Sequence, residues 1–214
     1  MQILLAVYAV IVAALVVAEL REVRKWQCIF KPLAALGFCV IALWGGVFGG
    51  TLEPVYGKII LAALIACAVG DVCLLSRDNP NLFKGGMAAF ALGHGLYIWA
   101  IITAGTSLNV IALIGLIIIG AATYVSLHAK LPSDMRAPVL VYTAIIMGMV
   151  LTAIGSGVTI LIAAAILFAT SDIFVARDRF TVPNPKNALA ISPLYFGAQA
   201  LFAISPALLM TPAL

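Results

Sequence analysis

The sequence predicts an all-α polytopic membrane protein of about eight transmembrane helices, and three observations predict it. Of its 214 residues, 64% are hydrophobic and only 9% are charged, against about 25% charged in a soluble domain. The mean hydropathy is +1.20, so charged side chains are too few to cover a water-soluble fold of this size. The apolar stretches run to ~17–25 residues, the length that crosses a bilayer core as a helix, and short polar breaks divide them.

The first span, 2–18, has no basic residue before it, and "ELREVRK" follows it. It is therefore expected to remain as a span instead of being cleaved as a signal peptide. The second, 32–49, is expected to open at Lys31 and Pro32, because a helix tolerates proline in its first turn. The third, 58–76, ends in "GDVCLLSRD", and the fourth, 82–104, contains "FALGHGLY". The fifth, 109–128, closes on Tyr124 and His128, and the sixth, 139–154, carries Tyr142. Only "GSG" at 155–157 separates it from the seventh, 156–176, which contains Ser171 and Asp172. The eighth, 188–210, contains "YFGAQ" at 195–199. Short loops throughout leave one transmembrane domain, 1–214.

Basic residues orient these spans. Arg21, Arg24, Lys25 and Lys31 follow span 1; Arg77 and Lys84 follow span 3; Lys130 and Arg136 follow span 5; Arg177, Arg179 and Lys186 follow span 7. Lys58 is the one left for the other side. The positive-inside rule then places both termini outside and the basic loops in the cytoplasm. A net charge of +4, spread over short loops, does not call for nucleic acid. Cys28, Cys39, Cys67 and Cys73 show no paired spacing, so neither a disulfide framework nor a zinc or redox site is expected.

A faint internal repeat accompanies the count. "DVCLLSRD" (71–78) ends span 3 as "DIFVARD" (172–178) ends span 7, and "FALGHGLY" in span 4 matches "YFGAQALF" in span 8, with Phe90 against Tyr195 and His94 against Gln199. "KPL" at 31–33 likewise matches "RAPVL" at 136–140. Partners four spans apart run in the same direction, which is a parallel 4+4 duplication.

The polar residues gather at one depth. Asp71 lies about 8 Å inside the end of its span at a helical rise, where a charge is costly and points by default to function. Asp172 sits at the matching place in span 7. Phe90, His94 and Tyr97 share one helix face, as do Tyr195 and Gln199, with His94 and Gln199 ~17–18 Å deep. These residues predict a cavity that opens to the cytoplasm, with carboxylates and basic residues at its mouth and His, Gln and aromatic rings at its floor. Structural alternatives stand beside this: Asp71 with Arg77 and Asp172 with Arg177 as helix-end ion pairs, His94 as an interhelical hydrogen-bonding residue, and the aromatics as packing or interfacial anchors. Glu19 and Glu53 read as solvated.

Only one His lies deep, and neither GxSxG nor HExxH occurs, so no metal site or Ser-His-Asp triad is expected. Two aspartates with His, Tyr and Gln support remain, which is the equipment for acid–base chemistry. "KPL", "GD" (70–71), "FxxGHxxY" (90–97), "SD" (171–172) and "YFGAQ" (195–199) together resemble the YhhN family, which contains the lysoplasmalogenases. The resemblance covers nearly the whole chain. It implies hydrolysis of the vinyl ether bond of a lysoplasmalogen to a fatty aldehyde and a glycerophospho-ethanolamine or -choline, with Asp71 and Asp172 as the catalytic pair. Lys31 and Arg77 become candidates to hold the phosphate, and Phe90, His94, Tyr97, Tyr124, Tyr142, Tyr195 and Gln199 candidates to line the substrate site. No cofactor and no obligate protein partner is implied, the substrate is a lysophospholipid within the membrane, and the expected location is a bacterial inner membrane with the site facing the cytoplasm. A small proton-coupled transporter with a paired-Asp relay is the alternative. It would carry polar groups into the outer half of the membrane as well. A non-catalytic lipid-binding scaffold would need no carboxylates at the site.

Overall fold

The computed structural model describes residues 1–44, 54–76, 79–181 and 183–209. Eight helices follow in chain order: α1 (Gln2–Leu20), α2 (Arg24–Ala42), α3 (Pro54–Leu74), α4 (Pro80–Ala104), α5 (Val110–His128), α6 (Ser133–Ser156), α7 (Thr159–Phe180) and α8 (Ala188–Leu208), with a 3-10 turn at Pro185–Asn187 before the last. All eight are long and apolar enough to cross a membrane. Eight crossings return the chain to the side on which it began. The Arg- and Lys-rich connections α1–α2, α3–α4, α5–α6 and α7–α8 therefore gather at one end of the bundle, called here the basic end.

Local chemistry explains the boundaries. Asn79 caps α4 by accepting from the amides of Asn81 and Leu82, with Pro80 in the first helical position, where its missing N–H costs nothing. Asn109 caps α5 through the amide of Ala112. The expected break at "GSG" is a tight turn in which Gly157 takes a left-handed φ of 68°, a conformation glycine adopts without steric cost. Several helices begin before their expected starts: α3 at Pro54 instead of 58, α6 at Ser133 instead of 139, with Pro138 inside it, and most of all α2. Helix α2 starts at Arg24, so Lys31 and Pro32 lie inside it instead of opening it. Helical residues before Pro32 replace the loop that the charged "REVRK" stretch implied, and Lys31 is carried up against the interior.

The bundle is apolar outside and close-packed inside. Ile3 and Ile111 are more than four-fifths exposed, and Ile114, Ile117 and Val125 also face outward, as lipid demands. Small buried residues (Ala34, Ala63, Ala100, Ala164, Ala198) let backbones approach, in the manner of membrane helix interfaces. Helix α3 packs along α4 and α7 along α8, while α4 meets α6 as α8 meets α2. Those contacts follow the 4+4 relation.

At the end opposite the basic loops, Thr106 and Ser107 donate to the carbonyls of Thr152 and Gly155. A β-carbon added to Gly155 would come within 2.1 Å of the Ser107 carbonyl oxygen, so a label there would disrupt this junction. The neighbouring Leu108 is 69% exposed and serves instead. In a background lacking Cys28, Leu108→Cys is expected to react with a membrane-impermeant thiol reagent in intact cells, and Lys186→Cys only after permeabilisation. Labelling of position 186 in intact cells would invert the orientation.

Candidate active site

Asp71 lies one turn before the end of α3 and is 2% exposed. A carboxylate there needs donors, and α8 supplies them. The Tyr195 hydroxyl donates to Asp71 Oδ2 at 2.6 Å. Gln199, one turn further along α8, donates from Nε2 to the Tyr195 oxygen at 3.0 Å. The Tyr97 hydroxyl of α4 donates to Gln199 Oε1 at 2.6 Å, and its ring stacks on Phe202 with centroids 3.9 Å apart. One hydrogen-bonded chain thus runs from α4 through α8 to the carboxylate on α3.

Asp172 on α7 has different company. The Tyr142 hydroxyl of α6 donates to Oδ2 at 3.0 Å, and His94 Nε2 stands 3.7 Å from the same oxygen. His94 Nδ1 is 2.5 Å from the Phe90 carbonyl, which can only accept, so Nδ1 carries the hydrogen. Nε2 is fully buried and has no hydrogen-bond partner. The Phe168 and Tyr142 rings meet the imidazole edge-on, at 4.4 and 5.5 Å between centroids.

Both aspartates line one chamber of about 110 Å³, together with Lys31, Phe90, Tyr142 and Tyr195, and they interact electrostatically. Its walls are otherwise apolar: Met87, Leu127, Val139, Ile146 and Met147. Lys31, Leu74, Phe83, Val175, Arg179 and Ile191 also border a second cavity of about 450 Å³, nearer the basic end, which adds Glu19, Glu22, Asp178 and Asn184. The two form a polar vestibule that leads to an apolar chamber with carboxylates set into it. Two glycines make room for this. Beside Asp71, a β-carbon on Gly70 would come within 2.7 Å of the Phe90 ring, and one on Gly93 within 2.6 Å of Cys67 Sγ and 3.2 Å of the Ala63 carbonyl. The "GD" and "GH" pairs are two of the points where α3 and α4 come closest, with Gly86 against Cys73 and Leu74 a third.

Of the residues read from the sequence, Lys31, Asp71, Phe90, Tyr142, Asp172 and Tyr195 border the chamber. His94, Tyr97 and Gln199 do not: they are completely buried behind it and act on the wall instead of forming it. Tyr124 lies apart, edge-on to His128 at 5.4 Å and packed against Leu127, Leu131, Met135 and Val139. Arg77 lies outside the described residues. The far half of the bundle is less bare than its composition implied. Tyr56 and Ser205 form a buried hydrogen bond of 2.9 Å there, and with Tyr97 and Phe202 they close that end. Glu19 is not simply solvated: it accepts from Ser192 and lies 3.8 Å from Lys31 Nζ. Sequence reasoning also missed Arg179, which borders both cavities with its guanidinium 4.5 Å from the centroid of the Phe83 ring. Its place seven residues after Asp172 on one helix face was a signal.

Comparison with known proteins points the same way. The model of the YhhN family matches residues 26–206. Lysoplasmalogenase TMEM86B of Homo sapiens is 37% identical over 175 residues, covering 80% of this chain and 74% of that protein. The Sus scrofa protein of the same name is 32% identical over 70% of this chain and 64% of its own length. Lysoplasmalogenase TMEM86A of Bos taurus is 32% identical over 68% of this chain and 64% of its own. No solved structure matches the chain.

The donor chain behind Asp71 makes a stability prediction. Gln199→Leu leaves the buried Tyr97 hydroxyl without its acceptor and should cost about 1–3 kcal/mol. Tyr97→Phe should also destabilise, and the double variant should lose less than the sum of the two. Thermal unfolding of the purified protein in detergent measures all three, and strict additivity would show that the two side chains do not share a bond.

Proposed function

The chain belongs to the YhhN family, and from that premise we propose that it hydrolyses the vinyl ether bond of a lysoplasmalogen within the membrane. The single observation that carries the reading is that Asp71 and Asp172, from different helices, line one chamber. Vinyl ether hydrolysis needs an acid to protonate the β-carbon and a base to activate water, and two carboxyl groups in an apolar chamber suffice for both. Protonation converts the C=C pair into a C–H bond and leaves an oxocarbenium ion. Water adds to its carbon as the base takes a proton. The hemiacetal then collapses to aldehyde and glycerol hydroxyl, the proton returning through the same two carboxyl groups.

The cavities suit a single-chain lipid. Lys31 and Arg179 at the vestibule are placed to hold a phosphate, Arg through paired N–H donors. A vinyl ether next to the glycerol then falls at the level of the aspartates. Its chain continues along Met87, Leu127, Ile146 and Met147. The eleven-to-one distribution of basic residues supports a vestibule that faces the cytoplasm, of a bacterial inner membrane on our reading. Polar residues converge on one end and a packed Tyr56–Ser205 and Tyr97–Phe202 layer lies beyond, which favours an enzyme over a carrier.

Purified protein in liposomes should release fatty aldehyde from lysoplasmalogen with no imposed proton gradient and with chelators present. Gradient-dependent uptake of an intact solute, with no aldehyde from any lysolipid, would replace this reading with the carrier.

Asp71→Asn and Asp172→Asn should each reduce turnover to background while leaving folded protein in the membrane, and the double variant should be hardly worse than either, because members of one catalytic unit are not additive. Full turnover by either single variant would remove that residue from the reaction. The rate should fall at both ends of the pH range, since the acid must be protonated while the base is ionised.

A further inference from the structure

The two aspartates come from matching places in a duplicated architecture, yet their neighbours are not equivalent. Asp71 on α3 is met by Tyr195 of α8, which Gln199 supports, and Asp172 on α7 by His94 of α4, whose Nδ1 is held by the Phe90 carbonyl. Under the repeat these are the same positions, with Tyr195 exchanged for Phe90 and Gln199 for His94. Each carboxyl group keeps one tyrosine donor, Tyr195 or Tyr142, but the exchange puts an imidazole lone pair beside Asp172 where Asp71 has a donor chain behind its tyrosine.

At Asp71 every proton points toward the carboxyl group. Tyr97 is completely buried, and its hydroxyl donates to Gln199 Oε1. That bond turns the Gln199 amide so that Nε2 faces Tyr195. With its lone pair occupied by Gln199, the Tyr195 hydroxyl has its own proton to give, and Asp71 Oδ2 takes it. A carboxylate is the natural acceptor for this chain. At Asp172 the far side of the pair is an acceptor. His94 Nδ1 is committed as donor to Phe90, which leaves a lone pair on Nε2, 3.7 Å from Asp172 Oδ2 and without a partner. A carboxylate and an imidazole lone pair facing each other away from water repel, and one proton between them satisfies both. Held on the oxygen, it leaves two neutral groups and avoids an ion pair that is walled by Phe168 and supported by the single donor Tyr142, with no donor chain behind it like the one at Asp71.

We propose that Asp71 is the ionised base and Asp172 the protonated acid, an assignment set by the donor chain Tyr97–Gln199–Tyr195 on one side and the bare Nε2 of His94 on the other. It rests on the hydrolase reading above. The remaining groups that face the pair fit. Lys31 of α2 and Glu19 of α1 act on Asp71, and Glu19 is itself tied to Ser192 and Lys31. Tyr8, Cys39 and Cys67 also lie within reach of Asp71. Asp172 faces Tyr142 and, across the chamber, Asp71. Asp172 gives its proton to the β-carbon and Asp71 takes one from the attacking water. In the collapse of the hemiacetal, Asp71 returns its proton to the departing glycerol oxygen and Asp172 recovers one from the hemiacetal hydroxyl. His94 and Gln199 touch no substrate, and they are positioning residues.

Two measurements test this. In bilayers, infrared spectroscopy should show the C=O stretch of a buried carboxylic acid in the wild-type protein, present in Asp71→Asn and lost in Asp172→Asn. A band lost in Asp71→Asn instead, or no such band at all, overturns the assignment. In aldehyde release, Gln199→Leu should move the low-pH limb of the rate profile upward by about one pH unit, as the Tyr195–Asp71 hydrogen bond loses the group that orients it. His94→Phe should move only the high-pH limb, downward by a similar amount. Limbs that respond in the opposite pairing overturn it too. If the wild-type protein releases no aldehyde, the hydrolase reading fails, while the infrared comparison still decides which carboxyl group holds the proton.

Discussion

An ionisable carboxyl group inside an apolar bundle must be given donors by its neighbours, and much of this structure follows from meeting that demand at Asp71. Removing a carboxyl group from water without partners is prohibitive. The partner is Tyr195 of α8, so α8 must lie against α3, although more than a hundred residues separate them in the chain. The hydroxyl must be oriented, and Gln199 does this. The amide must be oriented in turn, and Tyr97 of α4 does that. Three helices are thereby locked in rotation about one residue. The glycines at positions 70 and 93 allow the close approach between α3 and α4 that this lock requires.

The helix contacts follow a 4+4 pattern, and within it Asp71 and Asp172 have different neighbours. Two identical half-sites would hold two equivalent carboxyl groups, whereas here the neighbours of Asp71 and Asp172 differ. Phe90 and His94 stand where Tyr195 and Gln199 stand in the other half, and Asp172 faces an imidazole lone pair instead of a donor chain. Tyr142 then enters from α6 to supply the donor that Phe90 lacks. In the assignment we propose, asymmetry at the level of single hydrogen bonds separates the roles of acid and base.

The bundle is also asymmetric along its length. Charged side chains collect in the vestibule at the basic end, and among the described residues packed aromatics and the Tyr56–Ser205 hydrogen bond lie beyond the chamber toward the opposite end. Such a shape suits the proposed entry of a headgroup from one face, and the described residues form no continuous polar path to the other. Apolar walls limit the water that reaches the chamber, which strengthens each electrostatic contact within it.

By itself the sequence determined everything that depends on composition and local spacing. The scarcity of charge made the chain a membrane protein, the lengths of the apolar runs set eight helices, and the basic loops marked one end. Helical periodicity put Phe90, His94 and Tyr97 on one face and Tyr195 and Gln199 on another, and the "GD" and "SD" pairs exposed the two aspartates. Only the tertiary structure decided which face meets which. It paired Asp71 with α8 and Asp172 with α4 and α6. It withdrew His94, Tyr97 and Gln199 behind the wall of the chamber, left Tyr124 outside it and brought Arg179 to its mouth. It also ran α2 past Lys31 toward the interior. The physical reason is that the periodicity of a helix determines the direction of a side chain about its own axis, whereas its neighbours depend on how whole helices pack. Apolar helix surfaces resemble one another too closely for a single sequence to announce that packing.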